Sequence, residues 1–165
     1  MPQVIYKKQS VSTVGSLPAV GTQAPEFDLV GTNLETITLD QFKGKRVVLN
    51  IFPSLDTRAC AASVRRFNEL AAGLDETVVV SVSMDLPFAH DRFCVNEGIE
   101  NVFSTSAFRS SFGEDYGVTM AEGLGRGLFS RAVVILDADG KVIYTEQVPE
   151  ISNEPNYDAA IAALG

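Results

Sequence analysis

Two short, continuous apolar runs stand out along the chain: RVVLNIF from Arg46 and TVVVSVSM from Thr77. Runs of this length, bounded by polar residues, fit strands buried on both faces. Between them the period changes. Cys60, Val64, Phe67 and Ala71 recur at i, i+4, i+7 and i+11, with Leu70 and Leu74 beside them. Arg65, Arg66, Asn68 and Glu69 take the opposite face, so a helix is predicted after Cys60. Thr57 or Asp56 can cap it, each offering a side-chain oxygen just ahead of the periodic segment. LPFAHDRFCVNEG reads as a second helix, starting after Pro87 and ending at Gly98, and NVFSTS as a short strand. RSSFGEDYG reads as a helical turn or loop, and RAVVILDADGKVIYTEQV as a hairpin turning at Asp139–Gly140. EPNYDAAIAAL reads as a terminal helix. Upstream, residues 3–10 alternate weakly, as a strand would. VGSLPAVGTQAPEFDLV is punctuated by turns around Pro18, Gly21 and Pro25. FDLVGTNLETITL fits a hairpin turning near Gly31–Asn33, and LDQFKG a helical turn stopped by Gly44.

The order is an N-terminal β region, then β-α-β-α-β, then a hairpin and a helix. It predicts an α/β fold of thioredoxin-like order: a mixed central sheet with helices on both faces and an N-terminal β-hairpin extension. No linker, charge run or repeat divides the chain, so residues 1–165 are expected to form one domain.

Composition narrows the function classes. The chain has 165 residues, 45% of them hydrophobic, and a formal net charge of −8. Without a basic run it has no electrostatic footprint for nucleic acid or anionic lipid; the charge favours solubility and partners with a positive patch. No apolar run approaches the roughly 20 residues of a membrane span. The opening MPQVIYKKQSVSTVG lacks a long apolar segment, so no signal peptide is expected and the cytoplasm is the default compartment. Thiols there are kept reduced, and a disulfide is usually transient and catalytic. The chain has two cysteines, Cys60 and Cys94, 34 residues apart, and one histidine. That makes a poor metal site, and neither metal nor cofactor is expected.

Cys60 lies where a strand feeds a helix, at the sheet edge where α/β folds place ligands. Free backbone N–H groups there favour a reactive, deprotonated thiol, and Arg58 can add to the field. The competing reading is a small buried hydrophobe, and position alone leaves both open. The surrounding residues add more. Pro53-x-x-x-Thr57-x-x-Cys60 resembles the active-site loop of the peroxiredoxins. FPSLDTRACAASVRRFN, SMDLPFAHDRFC and SRAVVILDADGKVIY, in that order, are similar to the bacterial thiol peroxidase subfamily, from about Gly21 to the C-terminus.

The resemblance implies a thiol-dependent peroxidase of the atypical two-cysteine kind. Cys60 would be the peroxidatic residue, oxidised to a sulfenic acid. Cys94 would resolve it as an intrachain disulfide, reopened by thioredoxin. Thr57, the Cys60 backbone N–H and Arg131 would stabilise the leaving oxygen, and Pro53 would wall the pocket. Thr57 can equally be only a cap, Pro53 only a strand end, Arg131 a surface arginine, and Cys94 a core residue beside Phe93. The subfamily is dimeric, so a homodimer is expected, with a contribution from Phe108–Phe112. If Phe52, Met84, Leu86, Phe88 and Phe93 line the pocket, organic hydroperoxides would be favoured over hydrogen peroxide.

A disulfide needs Cα atoms about 4.4–6.8 Å apart. Two thiols on separate helices are not expected to meet that when reduced, so forming the bond should unwind one helix or both. His90, beside Asp91 and Arg92, is expected to be solvated, GLGRG to be a flexible loop, and Asp137 and Asp139 to belong to a turn. The alternatives are a thiol–disulfide oxidoreductase, disfavoured by the absence of C-x-x-C, and a non-enzymatic redox-sensing or binding domain.

Overall fold

Strand β5 (Arg46–Ile51) is the middle of the molecule, hydrogen-bonded in parallel to β6 (Thr77–Ser83) and antiparallel to β8 (Ala132–Leu136). The computed structural model describes residues 2–165. Helix α1 (Arg58–Ala71) links β5 to β6, and α2 (Pro87–Glu97) links β6 to the parallel β7 (Phe103–Ser106). The hairpin of β3 (Asp28–Val30) and β4 (Thr36–Thr38) extends the sheet beyond β7. Strand β9 (Val142–Gln147) closes the other edge. The resulting seven-stranded mixed sheet has the order β4-β3-β7-β6-β5-β8-β9.

A 3-10 turn (Leu39–Phe42), a short α3 (Phe112–Asp115) and a terminal α4 (Tyr157–Ala163) complete the fold. The weak alternation over residues 3–10 resolves into a hairpin of its own, β1 (Gln3–Tyr6) with β2 (Gln9–Ser12). Its tip is turned by Lys7 and Lys8, both in left-handed backbone. The other hairpin turns where expected: the Asp137 carboxylate accepts from the backbone N–H of Asp139 and of Lys141, at 2.9 Å each.

The helices are distributed unevenly. Successive right-handed crossovers moving one way along a sheet put their helices on the same side, and α1, α2 and α4 all pack on one face. The opposite face is closed by the 3-10 turn, α3 and the N-terminal segments. Strand alternation sorts the residues beneath. Val47, Leu49, Ile51, Val80, Val82 and Val134 point to the second face, into one apolar cluster with Phe27, Phe112, Tyr116 and Phe129. On the helical face Val48, Val79, Val133 and Ile135 lie under Phe67 of α1 and Ala160 of α4. Further along that face the character changes: the register aligns Asn50, Ser81 and Ser104 across β5, β6 and β7. This polar row lies beneath the helices that carry the two cysteines, Asn50 donating to Ser63 of α1 and Ser104 accepting from Cys94 of α2.

GLGRG is tied down rather than loose. Its base is closed by Gly127 N–H to the Met120 carbonyl and Leu128 N–H to the Gly125 carbonyl, at 3.0 and 2.9 Å. Gly125 is pressed so closely on Met120 and Tyr6 that a Cβ would come within 2.6 Å of the Met120 side chain. No helix among the described residues is long and apolar enough to cross a membrane.

Candidate active site

The chain leaves β5 through the buried Phe52 and Pro53 and re-enters regular structure at Arg58. Thr57 is the N-cap, in extended backbone, so the first helical N–H groups face a side-chain oxygen. Its hydroxyl accepts from the Cys60 N–H at 3.4 Å and donates to the Ser54 carbonyl at 3.1 Å. Cys60 is thus the third residue of α1, its side chain turned inward and 0% exposed. Beneath it, Ser63 donates to the Cys60 carbonyl at 2.8 Å and Asn50 donates to Ser63 at 3.2 Å.

Arg131, one residue before β8, comes to the same point from across the sheet. It is 1% exposed, not a surface residue. Nε donates to the Ile151 carbonyl at 2.9 Å and Nη2 to Cys60 Sγ at 3.2 Å. Nη1 is buried with no partner among the described residues, where the ion pairs are Arg65–Glu97 and Arg66–Glu69. A buried cation without a carboxylate is costly unless other polar groups meet it, and the side-chain atom this guanidinium touches is the Cys60 sulfur. The N-terminal hairpin braces the arrangement, because Ile151 N–H bonds back to the Ile5 carbonyl at 3.0 Å. A cavity of about 690 Å³ opens over this point, lined by Tyr6, Lys7, Pro53, Thr57, Arg58 and Arg131, with the Glu150–Glu154 loop on its far side.

Cys94 has a different setting. It is the eighth residue of α2, half-buried, and its thiol donates to the Ser104 hydroxyl at 3.1 Å. Burial pushes the Cys94 thiol up from its ordinary value, the Ser104 hydrogen bond opposes the shift, and the Asp91 carboxylate adds to it. Both cysteines are free thiols. They border one apolar cluster containing Phe52, Leu55, Val64 and Ile99, with Phe93 beside Cys94.

His90 is buried, not solvated. Its Nε2 is 2.9 Å from the Ser83 hydroxyl, which lies 2.6 Å from Asp85 Oδ2. Ser83 must donate to the carboxylate, so the histidine donates from Nε2, and its buried Nδ1 is left unpartnered. Burial lowers its pKa to about 4, against the opposing pull of Asp85. Asp85 also accepts from the Leu55 N–H at 2.8 Å and the Ser54 hydroxyl at 2.9 Å. One carboxylate therefore joins the loop before Cys60 to the helix that carries Cys94. Adjacent charges suggested a solvated face, but on α2 the residues beside His90 point outward while position 90 faces the sheet.

None of the five expected apolar residues lines the cavity. Phe52 is core, Met84 packs against the cluster on the other face, Phe93 is half-buried, and Leu86 and Phe88 are exposed on the outside of α2. Of the Phe108–Phe112 stretch, Phe108 is exposed and Phe112 is core. Arg58 lines the cavity, but the guanidinium that donates to Cys60 is that of Arg131. Sequence reasoning missed Asp85, Ser104, the Ser63–Asn50 pair and the Ile151 carbonyl. Only Ser83-x-Asp85, at the end of a predicted strand, left a local trace.

The Redoxin family model matches residues 19–161. The thiol peroxidase of Mycobacterium tuberculosis (strain ATCC 25618 / H37Rv) is 59% identical over 165 residues, covering 100% of this chain and 99% of the relative. That of Corynebacterium glutamicum is 52% identical over 164 residues, covering 99% of each. Among solved structures, a peroxiredoxin-like protein from Aquifex aeolicus superposes with a TM-score of 0.94 at 41% identity, covering 99% of this chain and 96% of that one. A thiol peroxidase from Chromobacterium violaceum gives 0.91 at 22% identity, covering 98% and 94%, a likeness of fold.

Proposed function

The chain belongs to the Redoxin family and is a thiol-dependent peroxidase, and we propose that Cys60 is its peroxidatic residue, Cys94 its resolving residue, and Arg131, Thr57 and Pro53 the frame of the site. The observation that carries this reading is the buried Arg131 guanidinium, without a carboxylate, donating to Cys60 Sγ at 3.2 Å. The Cys60 thiolate attacks the terminal oxygen of a hydroperoxide. An S–O bond forms and the O–O bond breaks; the hydroperoxide's hydrogen stays on the transferred oxygen as the sulfenic acid, and the leaving oxygen takes up, through solvent, the proton the Cys60 thiol gave up, departing as alcohol or water. Arg131 Nη1, unpartnered at rest, is free to bind the peroxide. Thr57 Oγ1 and the Cys60 N–H are engaged with each other only at 3.4 Å and can turn to the developing oxyanion. Because Cys60 is covered, one of the lining residues Pro53, Thr57 or Arg131 must give way for entry.

The Cys94 sulfur then attacks the Cys60 sulfur, the S–O bond breaks, and hydroxide leaves as water with the thiol proton. Thioredoxin or a similar low-potential dithiol supplies the two electrons that reopen the disulfide. Its formation unwinds α2 in preference to α1. Hydrogen exchange should therefore rise over residues 87–97 in the oxidised protein; equal protection in both redox states would contradict this.

In this reading residues 1–165 act as one catalytic unit in the cytoplasm, as a homodimer, with Phe108 on a surface a partner would cover. Organic hydroperoxides are favoured by the size of the cavity, about 690 Å³, rather than by an aromatic lining. The test is intact mass and free thiols after one equivalent of cumene hydroperoxide is added to the reduced protein. Loss of both thiols, with two hydrogens lost per monomeric chain on a denaturing gel, is expected. Survival of both thiols and of the peroxide would refute the assignment.

A further inference from the structure

The row Asn50–Ser81–Ser104 crosses the buried floor beneath α1 and α2, where the same strands could have carried valines, as Val48 and Val79 do one step earlier. It leaves Asn50 Oδ1 and Ser81 Oγ buried and unpartnered, a cost that a purely structural floor would avoid. The two ends of the row are engaged, and each holds a cysteine segment. Asn50 reaches Cys60 through Ser63, and Ser104 accepts directly from Cys94 Sγ at 3.1 Å.

We propose that Ser104 is a catalytic residue of the resolving step: its hydroxyl accepts from the Cys94 thiol at rest and turns to donate to the Cys94 thiolate as that anion forms. This rests on the peroxidase reading above. A serine hydroxyl is both donor and acceptor and rotates without moving its oxygen, so one contact serves both states of the sulfur. The step balances without a further reagent. The S–H bond of Cys94 breaks, its electron pair forms the bond to the Cys60 sulfur, and the Cys60 S–O bond breaks. The hydroxide leaves as water with the released proton.

No other donor among the described residues takes this role: Arg92, two residues before Cys94 on α2, is exposed and makes no hydrogen bond to its sulfur. Strand β7 carries no charged residue from Phe103 to Ser106. On α2 itself Asp91 opposes the anion, and Glu97 is engaged with Arg65 of α1 at 3.3 Å. Glu100, in the following loop, is exposed and held by its backbone to Asn68. Burial and Asp91 push the Cys94 thiol up, and Ser104 is the contact that pulls it down.

The test uses Cys60→Ser protein, in which Cys94 is the only thiol, alkylated with iodoacetamide across pH and read by intact mass. Ser104→Ala should move the profile to higher pH and slow alkylation at pH 8 by roughly three- to tenfold, because a hydrogen bond to the charged form is lost. Ser104→Thr should restore the parent profile. With Cys60 present, Ser104→Ala should consume the first equivalent of peroxide at the parent rate, yet its sulfenic acid, trapped with dimedone, should persist longer by a similar factor. An alkylation profile that stays in place or moves to lower pH would overturn the proposal. So would faster disulfide formation in Ser104→Ala, since Ser104 would then be a tether. The alkylation arm needs no peroxide, so it stands apart from failure of the peroxidase reading, which would appear as unconsumed peroxide in the parent.

Discussion

Cys60 and Cys94 belong to two helices that the molecule treats in opposite ways. Cys60 is in the first turn of α1, at the positive end of the helix, under a side-chain cap and against a guanidinium. Cys94 is in the last part of α2, near the negative end, beside Asp91 and in contact with a neutral hydroxyl. The helices differ as well. Helix α1 buries Val64 and Phe67 on one stripe. Helix α2 has no side-chain N-cap and leaves Phe88 and Val95 65% and 73% exposed. The first region holds its sulfur between a cap and a guanidinium donor, while the second leaves its sulfur half-buried against a single hydroxyl. In the two-step reaction proposed above that asymmetry is useful, since a resolving thiol as activated as the first would compete with it for peroxide.

The sharpest way to break the comparison is to exchange serine for each cysteine in turn. Cys60→Ser should abolish peroxide consumption, while Cys94→Ser should still reduce one equivalent and then stop; stoichiometric peroxide titration reads both. Next in size is Arg131→Lys, which keeps the charge but loses the planar fork. It should lower kcat/KM for peroxide by about 10²–10³-fold, with Cys94 alkylation unchanged; steady-state kinetics on protein of verified fold is the measurement. On the α2 side, His90 titrates near 4 when folded and near 6.5 when unfolded. Unfolding therefore takes up a proton between those values. The stability His90 contributes is complete above about pH 6.5 and is lost as pH falls through 4, up to about 3 kcal/mol. Urea titrations at pH 7, 5.5 and 4.5 should record the decline, and His90→Gln should flatten it. The smallest effect on stability is expected at the cap. Thr57→Val should cost about 1 kcal/mol of stability, with Thr57→Ser restoring it, in thermal melts.

Most of the architecture was legible in the chain, because it follows from short-range pattern. The valine runs of β5, β6 and β8, the stripe through Val64 and Phe67, and Gly98 in left-handed backbone at the end of α2 all express local constraints. The helical face and the buried histidine were less legible. His90 is flanked by Asp91 and Arg92, and nothing within a few residues reveals which of the three turns toward Ser83. The weak strand over residues 3–10 became a hairpin because Lys7 and Lys8 take a left-handed turn that their residue types do not advertise.

By itself the sequence determined the element order and the chemistry on offer. It supplied a lone cysteine at a strand-to-helix junction, a capping threonine three residues ahead, a second cysteine and an arginine at a strand edge. Tertiary structure decided what each of these meets. Arg131 is 71 residues from Cys60 along the chain and 3.2 Å from its sulfur in the fold, and its charge matters because burial removes the water that would screen it. Ser104 is paired with Ser81 by strand register and so lies under Cys94. Asp85 ties the Cys60 loop to α2 only because β6 ends beside both. Local pattern is carried by neighbours in the chain, whereas the electrostatics of a site come from groups that only a closed sheet brings together.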